Sequence, residues 1–199
     1  MNKLSSEAKE FAVASRPLAQ KAKENNIDLG VAPTYLSLAT VKENASKDMI
    51  VSAQNVHFNE KGAFTGEISI PMLKEFGINW SLIGHSERRT YDNETDAKCN
   101  LKIKALIAND MTPCYCVGET LAEFEAGQTK VVVGRQVRDG LKDLTSEQVK
   151  DLVVAYEPVW SIGTGKNAST EIAEDVCKFV RDVLRELFGD VADEIRVLY

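Results

Sequence analysis

Two residues stand where a chain of this kind can do chemistry. His85 and Glu157 each follow a short apolar run, residues 80–83 and 152–156. In parallel α/β folds the loops leaving the carboxyl ends of strands carry the reacting groups. A carboxylate becomes an effective base where packing takes water from it, and Pro158, Val159 and Trp160 give Glu157 stiff apolar neighbours. The plainer alternative is an ordinary ion-pairing glutamate at a strand end. Next comes Ser161-Ile162-Gly163-Thr164-Gly165, which sets two glycines between that rigid entry and a Lys166-Asn167-Ala168 exit. This composition suits a hinged lid, or more simply a glycine-rich turn into a helix. A nucleotide-binding P-loop is excluded, because the glycine spacing is wrong and Asn167 replaces the hydroxyl residue. His85 precedes Ser86-Glu87, residues suited to a helix start, whose positive end disfavours a charged imidazole. A neutral imidazole there could donate to a carbonyl. His57, in a polar setting near Asn55 and Asn59, reads as structural.

The elements that must hold these groups alternate. Strand-like runs at 28–32, 49–53, 80–83, 112–117, 152–156 and 195–199 are separated by amphipathic or polar-rich stretches, the rhythm of a parallel sheet. Runs such as Leu152-Val153-Val154-Ala155-Tyr156 are continuously apolar, which predicts strands covered on both faces. The chain opens on a helix, with Leu4, Ala8, Phe11, Ala12, Leu18, Ala19 and Ala22 near helical spacing. In the last helix Ile172, Val176, Phe179, Val180, Val183, Leu184 and Leu187 form one face, Ser169 caps the start and Gly189 ends it. Thr145 with Gln148 predicts a capping box before a short helix. No linker or low-complexity segment divides residues 1–199, so one domain is expected.

Composition removes several functions. A formal charge of −6 with no block of Lys or Arg argues against a nucleic-acid surface, so any phosphate affinity must be local. No apolar run reaches the ~20 residues of a membrane span, and no signal region opens the chain; no membrane association and a cytoplasmic location are expected. Cys99, Cys114, Cys116 and Cys177 form no C-x-x-C pair and read as reduced, buried thiols.

Five motifs occur in a set order: Ala53-Gln54-Asn55, Gly62-Ala63-Phe64-Thr65-Gly66-Glu67, Ile83-Gly84-His85-Ser86-Glu87-Arg88-Arg89, Cys116-Val117-Gly118-Glu119, and Tyr156-Glu157-Pro158-Val159-Trp160 running into the lid to Lys166. Together they resemble triosephosphate isomerase over essentially the whole chain. The resemblance implies a (β/α)8 barrel, incomplete here with about six of its eight parallel strands. It implies interconversion of dihydroxyacetone phosphate and D-glyceraldehyde 3-phosphate, in glycolysis and gluconeogenesis, without cofactor or metal. Glu157 is then the base and His85 the neutral electrophile, a division of labour for which this very family is the standard example. Ser86 lines the pocket, and the Gly163 N–H binds the substrate phosphate when the lid closes, again a behaviour best known from this enzyme's own loop. Glu87 orients a catalytic lysine, Glu119 anchors the lid region through a salt bridge, and Tyr199 is a further supporting residue. Arg88 and Arg89 make structural ion pairs, and Gln54 and Asn55 are architectural. The Gly62-to-Glu67 segment corresponds to a protruding loop whose tip, with Thr65, inserts beside a partner's site, which implies a homodimer.

Two departures accompany the resemblance. The family's catalytic lysine lies in an Asn-Trp-Lys run that would precede Met1-Asn2-Lys3, and its Gly-Gly-Ser and Gly-Gly phosphate-binding segments would follow Tyr199. Lys3 does not take over the catalytic role. The expectation is a partial sequence that by itself folds poorly and turns over little, since open parallel edges and an exposed core are costly. A shortened, inactive relative acting as a binding protein and another phosphate-handling barrel enzyme are the alternatives. The lid sequence and Gly84-His85-Ser86-Glu87 argue against the latter.

Overall fold

The computed structural model describes residues 2–162, 165 and 167–199. The Gly163 assignment therefore lies outside the described residues. The chain forms two compact units, Met1–Leu82 with Asn109–Met111, and Ile83–Ala108 with Thr112–Tyr199.

The first unit contains helices α1 (Ser5–Ala14), α2 (Arg16–Glu24), α3 (Tyr35–Asn44) and α4 (Ile70–Glu75), and strands β1 (Leu29–Val31), β2 (Met49–Ala53) and β3 (Trp80–Ile83). All pairings are parallel, Leu29 against Met49 on one side of β2 and Ser52 against Trp80 on the other. The opening helical run is two helices rather than one. Pro17, in the first turn of α2, has no N–H with which to continue α1. Its buried face is narrower than expected: Ala8, Ala12 and Ala19 are inside, while Leu4, Phe11 and Leu18 are exposed. Small side chains let α1 lie close on α3. Tyr35 donates its hydroxyl to the Asn55 carbonyl, and Gln54 Nε2 donates to the Ala32 carbonyl at 2.9 Å, so the Gln54-Asn55 segment is architectural as expected. His57 is structural too. Its ring stacks on Phe58 and leans on Phe64, and its Nδ1 accepts from the Asn59 N–H at 3.0 Å. Thr65 is exposed at the turn between Gly62 and Gly66, both at positive φ.

The second unit holds α5 (Ser86–Tyr91), α6 (Asp96–Ala108), β4 (Thr112–Val117), α7 (Leu121–Glu125), α8 (Thr129–Gly140), β5 (Val153–Tyr156), α9 (Thr170–Phe188) and β6 (Arg196–Leu198). Strand β5 pairs in parallel with β4, Val117 opposite Tyr156, and with β6, Val154 opposite Val197. The apolar faces of α6 and α8, with Ile103, Leu106, Val133 and Val137 fully buried, close over the core around Tyr115 and Val154. The Ser169 hydroxyl accepts from the Ile172 N–H, and Gly189 at φ 64° terminates α9. At its end Phe188, not Leu187, is the buried side chain. The Thr145 N–H and hydroxyl both donate to Gln148 Oε1, at 2.9 and 3.1 Å, while the Gln148 N–H donates to the Thr145 carbonyl; only half of the box forms, only a turn follows, and that helix is not formed. Strands β2, β4 and β5 are buried as their apolar runs require, whereas the residues of β1 and β6 are half-buried or exposed. Cys99, Cys114 and Cys116 are buried and unpaired by disulfide; Cys177 is half-buried. No helix among the described residues is long and apolar enough to cross a membrane.

Candidate active site

The two strand-end residues meet in the second unit. Glu157, at the end of β5, and His85, between β3 and α5, approach to 2.9 Å from Oε1 to Nε2. Ser86 completes the contact: its Oγ–H donates to Glu157 Oε1 at 2.9 Å and its N–H to Oε2 at 3.1 Å. These residues lie 71 apart in the chain.

Local structure sets the protonation of His85. It is the N-cap of α5, and its Nδ1 accepts from the Glu87 N–H at 3.3 Å. A nitrogen that accepts a hydrogen bond carries no proton, so the neutral ring presents Nε2–H to Glu157. The helix start alone was expected to disfavour the charged ring, yet with the carboxylate in contact the His85 pKa is raised. The hydrogen bond that His85 donates to Glu157 outweighs burial, with Glu87 adding a smaller push. Burial pushes the Glu157 carboxyl up, but the His85 and Ser86 hydrogen bonds exceed it and hold the group below its ordinary value. The arrangement is a carboxylate parked on the donors that a reacting carbonyl would otherwise use.

Gly84 aims this assembly. It adopts φ 74°, and its N–H donates to Glu94 Oε2 at 2.9 Å while its carbonyl accepts from Arg89 Nε at 2.7 Å. Glu94 and Lys102 form a buried ion pair behind it, and Arg89 Nη1 bonds Asp96 at 2.6 Å. The structural ion pairs read for Arg88 and Arg89 are thus present, Arg88 facing Asp92 at 3.5 Å.

Glu119 is fully buried beside β5, where its Oε1 accepts from Thr129 at 3.1 Å, Tyr156 at 3.1 Å and Trp160 Nε1 at 2.8 Å. Among the described residues it ties the segment after β5 to α8 by hydrogen bonds rather than by a salt bridge. Trp160 also stacks on Phe124 at 4.2 Å, so the indole is fixed at both its edge and its face. Glu87 is exposed, 3.8 Å from His85 Nδ1, and Tyr199 leans on Tyr156 at 6.1 Å between ring centres. Gln136, Glu94 and Lys102 were not singled out in the sequence. Gln136 had a signal: it interrupts the apolar face of α8 formed by Val132, Val133 and Val137.

A family model described as triosephosphate isomerase matches residues 1–199. Similar curated proteins include the triosephosphate isomerase of Moorella thermoacetica, 47% identical over 200 residues that span all of this chain and 79% of the relative. That of Clostridium botulinum strain Langeland is 45% identical over 201 residues, covering all of the chain and 80% of the relative. That of Carboxydothermus hydrogenoformans is 48% identical over 177 residues, covering 88% and 70%.

Proposed function

The chain belongs to the triosephosphate isomerase family, an aldose–ketose isomerase acting on triose phosphate in glycolysis, and from that premise we propose that Glu157 is its base and His85 its electrophile. The six strands among the described residues alternate with helices and pair in parallel within each unit, as the family's (β/α)8 barrel requires of an incomplete set, and we read residues 1–199 as part of one such domain. The observation that carries the assignment is the 2.9 Å approach of the Glu157 carboxylate to an imidazole whose Nδ1 is already occupied by a backbone N–H. A substrate carbonyl that takes over the Nε2–H of His85 frees Glu157 Oε1. The freed carboxylate loses a stabilising partner just where it must gain a proton. Glu157 then removes a proton from the hydroxyl-bearing carbon beside the carbonyl, His85 gives its Nε2 proton to the former carbonyl oxygen and takes one back from the neighbouring hydroxyl, and Glu157 returns its proton to the former carbonyl carbon, so that the carbonyl has moved by one position and both side chains are restored. The family supplies this pairing of carboxylate base and neutral imidazole as its own standard case.

Ser86 holds the base between turnovers, and Glu119 holds Trp160 at the root of the lid, whose Gly163 N–H binds the phosphate on closure. Glu87 and Tyr199 support the pocket from its rim. Thr65 belongs to a dimer contact, and the protein works as a cytoplasmic homodimer. Glu157→Gln and His85→Gln, assayed in the complete gene product with D-glyceraldehyde 3-phosphate, should each lose about 10²–10⁴-fold in kcat, the range of a positioned proton-transfer group. Turnover within a few-fold of the parent in either variant would defeat the assignment. Sedimentation equilibrium with Thr65→Asp, which should shift dimer toward monomer, tests the contact.

A further inference from the structure

Gln136 reaches from α8 to the ground on which the base is seated. Its side chain is almost wholly buried, at 5% exposure, and spends both ends on one residue. The Gly118 N–H donates to Oε1 at 2.8 Å, and Nε2–H donates to the Gly118 carbonyl at 3.0 Å. The amide orientation is fixed, because only the oxygen can accept from a backbone N–H and only the nitrogen can donate to a carbonyl. Gly118 lies one residue beyond the end of β4, and Gln136 serves it as a strand neighbour would. The backbone of Gln136 is itself pinned, its carbonyl accepting from the Tyr115 hydroxyl at 2.7 Å.

Gly118 in turn lies flush against Glu157. A Cβ at position 118 would stand 1.8 Å from the Glu157 carbonyl oxygen and 2.7 Å from its carbonyl carbon, so only a glycine lets the two chains approach this closely. On either side the same segments are tied together. The Glu157 N–H donates to the Val117 carbonyl at 2.8 Å, and the Val159 N–H to the Glu119 carbonyl at 3.1 Å. The backbone that carries the base is therefore registered against residues 117–119, and residue 118 is registered by Gln136.

We infer that Gln136 is a positioning residue for Glu157, its amide fixing Gly118 as the platform against which the base is seated. The role rests on Glu157 being the base and goes beyond it, because Gln136 is 21 positions upstream, on a helix, and its side-chain bonds among the described residues go to Gly118 rather than to the carboxylate. A merely structural glutamine would affect folding; a positioning one affects the chemical step at constant substrate binding.

The test compares three variants of the complete gene product. Gln136→Met keeps the volume and loses both bonds; misplacing a reacting group by about 1 Å costs on the order of 10²-fold, so kcat should fall by ~10–100-fold with KM within about threefold. Val137→Ala, on the same buried face, is the stability control and should leave kcat within about twofold. Gln136→Glu supplies the distinguishing signature. Protonated, it can accept from the Gly118 N–H and donate to the Gly118 carbonyl; ionised, it sets a negative charge against that carbonyl, and burial favours the protonated form. The ratio of its kcat to that of the parent should therefore fall as pH rises, while the Gln136→Met ratio stays flat. A Gln136→Met kcat no lower than that of Val137→Ala, or a flat Gln136→Glu ratio, overturns the inference. If Gln136→Met does not fold, the Gln136→Glu profile decides alone. Glu157→Gln run in parallel separates the two ideas: full activity there removes the base assignment and this role with it, whereas an inactive Glu157→Gln beside an unimpaired Gln136→Met removes only the platform.

Discussion

Ser86→Ala isolates one of the donors that hold Glu157 ionised. Burial pushes this carboxyl up, and His85, the Ser86 N–H and the Ser86 hydroxyl together more than reverse that push. Each donor to the charged form favours it, so removing the hydroxyl must raise the proton affinity of the base. The Oγ to Oε1 distance is 2.9 Å, a full hydrogen bond to a charged acceptor, a class worth about 1.5–3 kcal/mol. With 19% of the Glu157 side chain exposed, water replaces part of the loss, and about 1.4 kcal/mol, a factor of ten, is the reasonable figure. The Ser86 N–H survives the substitution, and alanine is tolerated as the first residue of α5. The assay is kcat/KM against pH in the complete gene product. On the acid limb, where the rate is proportional to the fraction of ionised base, the variant should fall about tenfold below the parent once both are scaled to their plateaus. An acid limb that superimposes on the parent's, or one displaced to lower pH, would refute the claim that this hydroxyl stabilises the charged base.

Other perturbations follow from the same geometry. Glu94→Gln removes the charge buried against Lys102 and weakens the acceptor for the Gly84 N–H; one-sided removal from a buried pair costs about 3–5 kcal/mol, which for a chain of this size lowers Tm by about 6–20 °C. A calorimetric shift under a few degrees would contradict it. Gly118→Ala drives a methyl into the Glu157 carbonyl, and overpacking of about 1–3 kcal/mol together with a displaced base should appear as a lower Tm and a large loss of kcat at near-normal KM; unchanged kcat would show that the close approach is immaterial. The His85–Glu157 contact should contribute to stability within a pH window. The raised imidazole contributes below its ordinary 6.5 and loses that contribution as pH rises through its folded value. The lowered carboxyl contributes above its ordinary 4.5 and loses it as pH falls. A double-mutant cycle of His85→Gln and Glu157→Gln by urea unfolding should give a coupling under about 1 kcal/mol, since both groups are partly solvated, largest between those values and fading on either side. A coupling that does not vary with pH would contradict this.

The strand-end positions of His85 and Glu157 were legible because apolar runs announce strands and parallel folds place reacting groups where such runs stop. The Ser169 cap and the Gly189 stop of α9 were legible for a similar reason, since each needs only its neighbours in the chain. The surroundings of Glu119 were not legible: nothing local says that this carboxylate is fully buried among Thr129, Tyr156 and Trp160 and bonds their hydroxyls and indole. The failed helix after Thr145 shows the converse limit, a capping signature in the residue types whose hydroxyl does not take the backbone N–H, with only a turn behind it. The sequence by itself determined the alternation of strand and helix, the glycines at 84 and 118, and the family through its ordered motifs, all properties of residue type and short spacing. Only the tertiary structure decided that His85 and Ser86 grip a carboxylate 72 and 71 residues away, that Glu94 and Arg89 clamp the peptide before His85, and that Gln136 clamps Gly118 beneath Glu157. Those contacts arise from the register of β4 against β5 and from helices laid over them, and periodicity carries no information about which distant residue a packed helix will bring to a given backbone group.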